Sequence, residues 1–107
     1  TVHGPGYSGG SGISGNYELR REKKFRDRFH VFAVDWEPGS LRFSVDGKEY
    51  HRVSRTSIPA GREWVFDRPF FLLLNLAVGG EWPGFPDATT TFPQIMLVDW
   101  VRVIGFR

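Results

Sequence analysis

Two acidic residues in the middle of the chain, Asp35 and Glu37, have a spacing suited to paired-carboxylate chemistry. They lie two positions apart in an alternating segment, so on a β-strand both side chains point the same way, about 7 Å apart. Carboxyl groups at such separations cleave glycosidic bonds, one as an acid and the other as a base or nucleophile. Glu37, however, precedes Pro38 at the predicted end of the strand, where acidic pairs usually face solvent. The pattern therefore favours a solvated strand end over a catalytic pair.

Other residue types indicate no metal, nucleotide or serine-nucleophile site. His3, His30 and His51 lack the close spacing of metal ligands, and the chain contains no cysteine. Residues 4–9 match the letters of the dinucleotide fingerprint GxGxxG, but the glycines that follow cannot begin the helix that holds a pyrophosphate. Ser8 lies in GYSGG, which lacks the strand-to-helix setting of a nucleophile elbow.

Length and composition indicate a single globular domain over residues 1–107. Charged residues at 24% and hydrophobic residues at 40% are typical of a folded chain rather than a disordered one. The formal net charge of +2, with acidic and basic residues interspersed, argues against nucleic acid as a partner. No apolar run reaches the ~20 residues that span a bilayer, so we expect no membrane partner. The first residue is threonine and no signal peptide opens the chain, so we expect a processed or truncated chain.

The longest apolar stretch runs from Phe70 to Val78 and is interrupted only by the amide of Asn75. A run of this length, bounded by a proline and two glycines, predicts a strand buried on both faces. A buried amide needs hydrogen-bond partners, so Asn75 either bonds to neighbouring backbone or points into a polar groove. The proline-rich loop that follows carries Trp82, and a strand that delivers an amide and an aromatic side chain to one sheet end is typical of a binding cleft.

The other segments alternate with the period of a strand. Residues 30–37 place Phe32, Val34 and Trp36 on one face, and residues 41–46 place Leu41, Phe43 and Val45 inward. Asp-Gly at 46–47 is a strong hairpin signal that joins this strand to a third over 48–53. The pattern also predicts a last strand over 95–104, and no segment has a helical period. The fold class is therefore all-β, an antiparallel β-sandwich or barrel.

Three stretches carry a resemblance to a known family: HGPGYSGGSGISG, FHVFAVDWEPGSLRFSVDGKEY and WVFDRPFFLLLNLAVGGEWPGFPDATTTFPQIMLVDWVRVI. Together they resemble the laminarinases of glycoside hydrolase family 16, in the family's order and over nearly the whole chain. The resemblance implies a concanavalin-like jelly roll with a cleft across its concave sheet. It also implies hydrolysis of β-1,3-glucans such as laminarin by a retaining, secreted endo-β-1,3-glucanase that requires no cofactor.

The resemblance also assigns roles to individual residues. Asn75 and Trp82 match positions that line the cleft near the scissile sugar, and His3 and Tyr7 match the segment beside the catalytic strand. Asp99 matches a structural calcium ligand, although the family's other ligands have no match here, so a Ca²⁺ site would be incomplete. Each of these residues also has a plain structural interpretation, as a packing aromatic, a satisfied amide or a strand-edge acid.

The family's catalytic motif, ExDxxE or ExDxE, does not occur in the chain. In the family it lies shortly before the HGPGYSGG segment, so we expect a C-terminal part of the jelly roll with the catalytic glutamates elsewhere. Three functions stay open: part of a retaining endo-β-1,3-glucanase, a non-catalytic β-glucan-binding module, or a structural fragment that assembles through open sheet edges. We expect those edges to pair with the N-terminal half of the fold or with a second copy of the chain.

Overall fold

Three β-strands form one antiparallel sheet in the order of the chain. The strands are β1 (Phe32–Glu37), β2 (Ser40–Val45) and β3 (Lys48–Ser54), with β2 in the middle. Short 3-10 helices cover Gly9–Ser11, Phe25–Asp27 and Arg55–Ser57. The computed structural model describes every residue except Glu22, Trp82, Phe106 and Arg107. No helix in the part described has the length and apolar character that crossing a membrane requires.

The two predicted turns between the strands are confirmed. Gly39 follows Pro38 with φ of 76°, and Asp46 and Gly47 have φ values of 50° and 77°. Successive positive φ values match the twist of a two-residue hairpin, which explains why Asp-Gly joins β2 to β3. The inward side of β2 is also as predicted, because Leu41 and Val45 are buried. A shift in the pairing between Phe43 and Ser44 places one extra residue on β3.

Contacts divide the chain into two compact units, Thr1–Phe70 and Phe71–Arg107. The first unit holds the sheet and a core built from strand residues, the N-terminal loop and the segment after β3. The buried members of this core are Val2, Tyr7, Leu41, Val53, Trp64 and Phe66. The prediction that residues 1–107 form a single domain stays a prediction.

The glycine-rich N-terminal segment is an ordered loop, anchored where its two large apolar side chains pack. Val2 and Ile13 exchange backbone hydrogen bonds of 2.9 and 3.0 Å, and Ile13 packs against the core. Tyr7 is fully buried, with its ring so close to Gly4 that a Cβ there would lie 2.3 Å from it. Gly4 is therefore required for this approach rather than for flexibility.

The strands predicted over 70–78 and 95–104 are not formed among the described residues, and this prediction was wrong for the isolated chain. Phe71 and Leu73 are 81% and 78% exposed, and Val103 is 80% exposed. A strand needs a partner that takes up its backbone hydrogen bonds, and neither segment is paired with one in the described part of the chain. The apolar pattern predicts which residues suit a buried strand, but not whether the partner strand is present.

Candidate functional site

One member of the carboxylate pair on β1, Asp35, forms a surface ion pair. Asp35 lies directly opposite Arg42 in the β1–β2 register, and the guanidinium Nη2 donates to Asp35 Oδ2 over 2.7 Å. Both side chains are about half exposed, at 55% and 41% for Asp35 and Arg42. Glu37 lies at the exposed end of β1 beside the turn. This arrangement fits the solvated interpretation of the pair.

Asp46 at the β2–β3 turn is the centre of a hydrogen-bond cluster. Its Oδ1 accepts the Val31 N–H over 3.0 Å, and its Oδ2 lies 2.8 Å from His30 Nδ1 and 2.9 Å from an Arg28 nitrogen. These contacts lower the pKa of Asp46, mainly through the Val31 N–H and then through the His30 bond. The cluster ties the segment before β1 to the hairpin tip.

Asp67 is the centre of a second hydrogen-bond cluster, at the other end of the sheet. Its Oδ1 accepts the Gly39 N–H and the Trp64 indole N–H, both over 2.8 Å, and its Oδ2 pairs with Arg55. The Gly39 N–H, followed by the Trp64 N–H, lowers the pKa of Asp67. These bonds fix the turn between β1 and β2 to the segment that follows β3. The contacts of Asp46 and of Asp67 therefore both have a structural explanation.

The residues predicted to bind substrate fall in different parts of the molecule. His3 and Tyr7 belong to the first unit, Asn75 belongs to the second, and Trp82 lies outside the described residues. His3 is exposed and its ring packs so tightly on Gly12 that a Cβ there would lie 2.6 Å away. Asn75 is exposed rather than enclosed in a strand.

Tyr7 is placed for packing rather than for stacking on a ligand. Its side chain is 0% exposed, its hydroxyl donates to the Glu63 carbonyl over 2.8 Å, and its ring meets Phe66 edge-on at 6.5 Å between centroids. Burial, with the nearby Glu63 charge, raises the pKa of Tyr7. A ring without a free face cannot stack on a sugar in this arrangement, so Tyr7 holds the N-terminal loop on the core.

The calcium ligand predicted at Asp99 lies in the second unit, where its side chain is exposed. In the described part of the chain, no group of three or more histidine or carboxylate side chains lies close enough together to hold a metal ion. Calcium takes six to eight oxygen ligands, and one carboxylate supplies at most two of them. A calcium site that includes Asp99 stays a prediction that requires ligands from outside this chain.

The first unit contains an aromatic cleft of about 340 Å³ that the sequence did not reveal. Four rings and two polar side chains line it: Tyr17, Phe25, Phe32, Tyr50, Asn16 and Glu18. We call this set the Tyr17–Tyr50 cleft. Its volume is at the lower end of the range of small-molecule sites, which combine aromatic walls with a few polar groups.

The rings of the cleft pack in a chain along its wall. Tyr17 lies 5.6 Å from Tyr50 and 6.3 Å from Phe25, and Phe25 lies 5.3 Å from Phe32, between ring centroids. Lys48 Nζ stands 5.7 Å from the Tyr17 ring centre. Tilted rings beside an amide and a carboxylate can hold a ligand that has both apolar faces and hydroxyl groups.

Sequence reasoning missed this cleft because its walls come from a loop, a 3-10 helix and an irregular position of β3. Phe25 begins the 3-10 helix, which is held by the Lys24 N–H donating to Asp27 Oδ2 over 2.8 Å. Tyr50 lies next to the pairing shift, where simple alternation does not predict direction. The sequence feature that could have indicated the cleft is the group of aromatic residues on either side of the charged loop.

Comparison with known proteins gives the family. The model of a family described as Glycosyl hydrolases family 16 matches residues 1–102. The chain belongs to glycosyl hydrolase family 16. A beta-glucanase of Rhodothermus marinus is 39% identical over 96% of the chain, which corresponds to 37% of that protein.

Two solved glucanase structures are similar to the chain. An endo-beta-1,3-glucanase from Pyrococcus furiosus superposes on 85% of it with a TM-score of 0.81 and 54% identity. The catalytic domain of a laminarinase from Thermotoga petrophila superposes on 84% of it with a TM-score of 0.79 and 50% identity. The chain spans 35% and 36% of these structures. The predicted fold class is confirmed: an antiparallel jelly-roll sandwich that is incomplete relative to the family fold.

Proposed function

We propose that the chain is the C-terminal part of a retaining endo-β-1,3-glucanase that acts on laminarin-type glucans. The observation that carries this proposal is its 54% identity, at a TM-score of 0.81, to the endo-beta-1,3-glucanase of Pyrococcus furiosus. In this proposal the catalytic glutamates lie outside these 107 residues, since the sequence contains no ExDxxE or ExDxE stretch. The enzyme is secreted, and β-1,3-glucan is its substrate.

In this proposal the chain supplies binding rather than bond cleavage. A retaining mechanism needs two carboxyl groups about 5–5.5 Å apart, one as nucleophile and one as acid and then base. Asp35 is engaged with Arg42, whose guanidinium donates to its carboxylate over 2.7 Å. Asn75 is exposed, so its amide can bond a sugar hydroxyl. The stacking ring is assigned to Trp82, which lies outside the described residues, by the family resemblance alone.

The test is laminarin hydrolysis, measured as reducing ends, by the chain alone and by a hybrid. The hybrid joins the chain to the part of the Rhodothermus marinus beta-glucanase that precedes the aligned region. We expect no hydrolysis by the chain alone and hydrolysis by the hybrid, because both carboxyl groups are needed at one sugar. In the hybrid, Asp35→Ala and Glu37→Ala should leave kcat within about twofold; a loss of activity in either variant would overturn the assignment.

The Tyr17–Tyr50 cleft favours a second candidate function, a non-catalytic β-glucan-binding module. Tyr17 and Tyr50 are only partly buried, and Glu18 and Asn16 at its rim are exposed. Partly buried rings with polar groups at the edge provide both contact types that a sugar offers. This function would need neither the catalytic glutamates nor Trp82.

Titration of the 107-residue chain with laminarin oligosaccharides tests the second candidate. Tyr50→Ala should weaken binding up to about tenfold, since an aromatic contact contributes up to about 1.5 kcal/mol. Tyr7→Phe is the matched control, because it changes a core tyrosine without touching the cleft and should leave affinity unchanged. Equal affinity of Tyr50→Ala and the unaltered chain, or no binding by either, would reject the binding module.

A further inference from the structure

Residues 20–28 form a strongly basic loop between the N-terminal segment and β1, and we call them the basic loop. Their sequence, RREKKFRDR, holds six of the fourteen basic residues of the chain. With two acidic residues beside these six, the basic loop has a formal net charge of +4. The rest of the chain has more acidic than basic residues, so the positive charge of the molecule is concentrated in this loop.

Most cations of the basic loop have no ion-pair partner among the described residues. Elsewhere in the first unit, four arginines each pair with a carboxylate: Arg42, Arg52, Arg55 and Arg68. Within the basic loop Arg28 pairs with Asp46. No described carboxylate forms an ion pair with the other five basic residues, all of them exposed: Arg20, Arg21, Lys23, Lys24 and Arg26.

The basic loop is fixed to the sheet along its second half. The Lys24 N–H donates to Asp27 Oδ2 over 2.8 Å, and the Asp27 N–H donates to the Lys24 carbonyl over 3.0 Å. Arg28 donates to the carboxylate at the β2–β3 turn over 2.9 Å, and the Phe25 ring lies 5.3 Å from that of Phe32. The backbone that carries these cations is therefore held in place, which lowers the entropy cost of binding a ligand.

The basic loop also forms one wall of the Tyr17–Tyr50 cleft. Phe25 lines the cleft from within the loop, and Asn16 lines it shortly before the loop begins. On the hairpin, Lys48 Nζ stands 5.7 Å from the Tyr17 ring centre. A single carboxylate, Glu18, occurs among the described lining residues. Aromatic rings and an amide inside the cleft are thus bordered by cations.

We propose that the basic loop and the Tyr17–Tyr50 cleft bind an anionic polysaccharide. Its carboxylate or sulfate groups lie on the cations of the loop, since arginine donates paired hydrogen bonds to such groups and lysine adds a point charge. One sugar ring lies against the aromatic wall of the cleft. The chain belongs to a family of glycosyl hydrolases, which favours a sugar polymer among polyanions. This site holds the protein on an acidic matrix and does not depend on laminarin hydrolysis.

A polyanion suits the basic loop better than burial beneath another part of a family 16 fold. Lysine and arginine are almost never fully buried unless they are paired, and each buried charge without a partner costs free energy. Even a buried ion pair gains little, because its desolvation offsets the attraction. A polyanion neutralises the same cations while they stay partly hydrated, and its binding releases counterions.

Titration of the 107-residue chain with dextran sulfate, carboxymethyl dextran and uncharged dextran tests the proposal. The three polymers share one backbone, so binding of the two charged forms and not of dextran shows that the anionic groups are recognised. The tighter of the two identifies sulfate or carboxylate as the preferred group. Affinity should fall about tenfold or more between about 50 and 200 mM salt, as expected for several released counterions.

Removing two charges from the basic loop should weaken this binding. Lys23→Gln combined with Lys24→Gln should raise the Kd for dextran sulfate about tenfold, because two contacts to anionic groups are lost. Arg52→Gln combined with Arg68→Gln is the matched control, since it removes the same charge outside the loop and should change the Kd by less than about twofold. Equal losses in the two double variants would overturn the proposal.

Polyphosphate distinguishes a sugar site from a surface that binds any polyanion. Phe25→Ala should weaken binding of dextran sulfate about threefold or more and leave binding of polyphosphate unchanged, because polyphosphate has no ring to contact the cleft. Asn16→Ala should act in the same direction, and it alters an exposed side chain without removing a ring. No binding of either charged dextran would overturn the proposal. Polyphosphate bound as tightly as dextran sulfate, with no effect of either variant, would also reject a polysaccharide.

The hybrid with the preceding part of the Rhodothermus marinus beta-glucanase tests the site in a more complete fold. The hybrid should bind dextran sulfate as the chain does, and the double lysine variant should leave its laminarin hydrolysis unchanged. Loss of dextran sulfate binding in the hybrid would overturn the proposal, because the added segment would then cover the basic loop. A hybrid that binds dextran sulfate but does not hydrolyse laminarin would contradict the glucanase assignment alone.

Discussion

Individual carboxylates in the first unit hold loops in place. Asp46 and Asp67 each accept a backbone N–H and further side-chain donors, at opposite ends of the same sheet. In both cases the backbone bond is the largest cause of the lowered pKa. A lowered carboxyl pKa in a family of glycosidases suggests catalysis at first, but here the partners identify a structural role.

Replacing Asp46 by Asn should show this role as a pH-dependent difference in stability. Asn also suits a positive φ before glycine, so the change removes the charge and leaves the turn intact. The folded pKa of Asp46 lies below its ordinary value of 3.8, so its stabilisation is fully present above pH 3.8 and is lost as the pH falls further. Urea unfolding should therefore find Asp46→Asn less stable at pH 7.

The same comparison at lower pH completes the prediction. Because protonation removes the charge from the unaltered chain as well, the difference between the two proteins should shrink as the pH falls below 3.8. The groups that face this carboxylate are Arg28, His30 and the Val31 N–H. A stability difference that is the same at pH 7 and at pH 3 would contradict the role assigned to Asp46.

At the scale of elements, the strands closed by local turns were the ones that the sequence could predict. β1, β2 and β3 follow one another with two-residue turns, so alternation and turn chemistry together determine the partner of each strand and the register beside each turn. Residues 70–78 and 95–104 have an equally clear apolar pattern but no turn that joins them to a neighbour. Their pairing depends on distant residues, which a local pattern does not contain.

Some residues of the candidate site could likewise be predicted from the sequence, and others could not. The exposed Asn75 was found from its position in an apolar run, whereas the Tyr17–Tyr50 cleft depends on how a loop and a 3-10 helix fold over the sheet. A substrate-binding role for Tyr7 was predicted from the resemblance alone. Its burial depends on the tertiary contact between its hydroxyl and the Glu63 carbonyl. Burial of a loop residue is a tertiary property that sequence spacing does not give.

The β2–β3 turn can be tested by adding one methyl group. Gly47 has φ of 77°, and a Cβ added there would meet nothing within 4 Å, so Gly47→Ala is strained by backbone conformation and not by a clash. We expect a loss of about 1–2 kcal/mol in the free energy of unfolding, the cost of the left-handed conformation for a residue with a Cβ. Gly10→Ala is the control, since Gly10 has equal space and no positive φ, and should change stability by less than about 0.5 kcal/mol. Equal effects of the two changes would contradict the assigned turn.

At the scale of the whole molecule, large apolar side chains are exposed in each of the two units. The three residues of β1 that share a face, the run 70–78 and the segment 95–104 all present large apolar side chains to solvent. The chain spans 35% of the Pyrococcus furiosus structure.

Laminarin hydrolysis is the most direct measurement of the central claim that the chain is the binding part of an endo-β-1,3-glucanase without its catalytic glutamates. The chain alone should release no reducing ends, and the hybrid with the preceding part of the Rhodothermus marinus beta-glucanase should release them. In the hybrid, Asn75→Ala should lower kcat/KM while Asp35→Ala does not. Hydrolysis by the chain alone that disappears on removing Asp35 or Glu37 would contradict the claim.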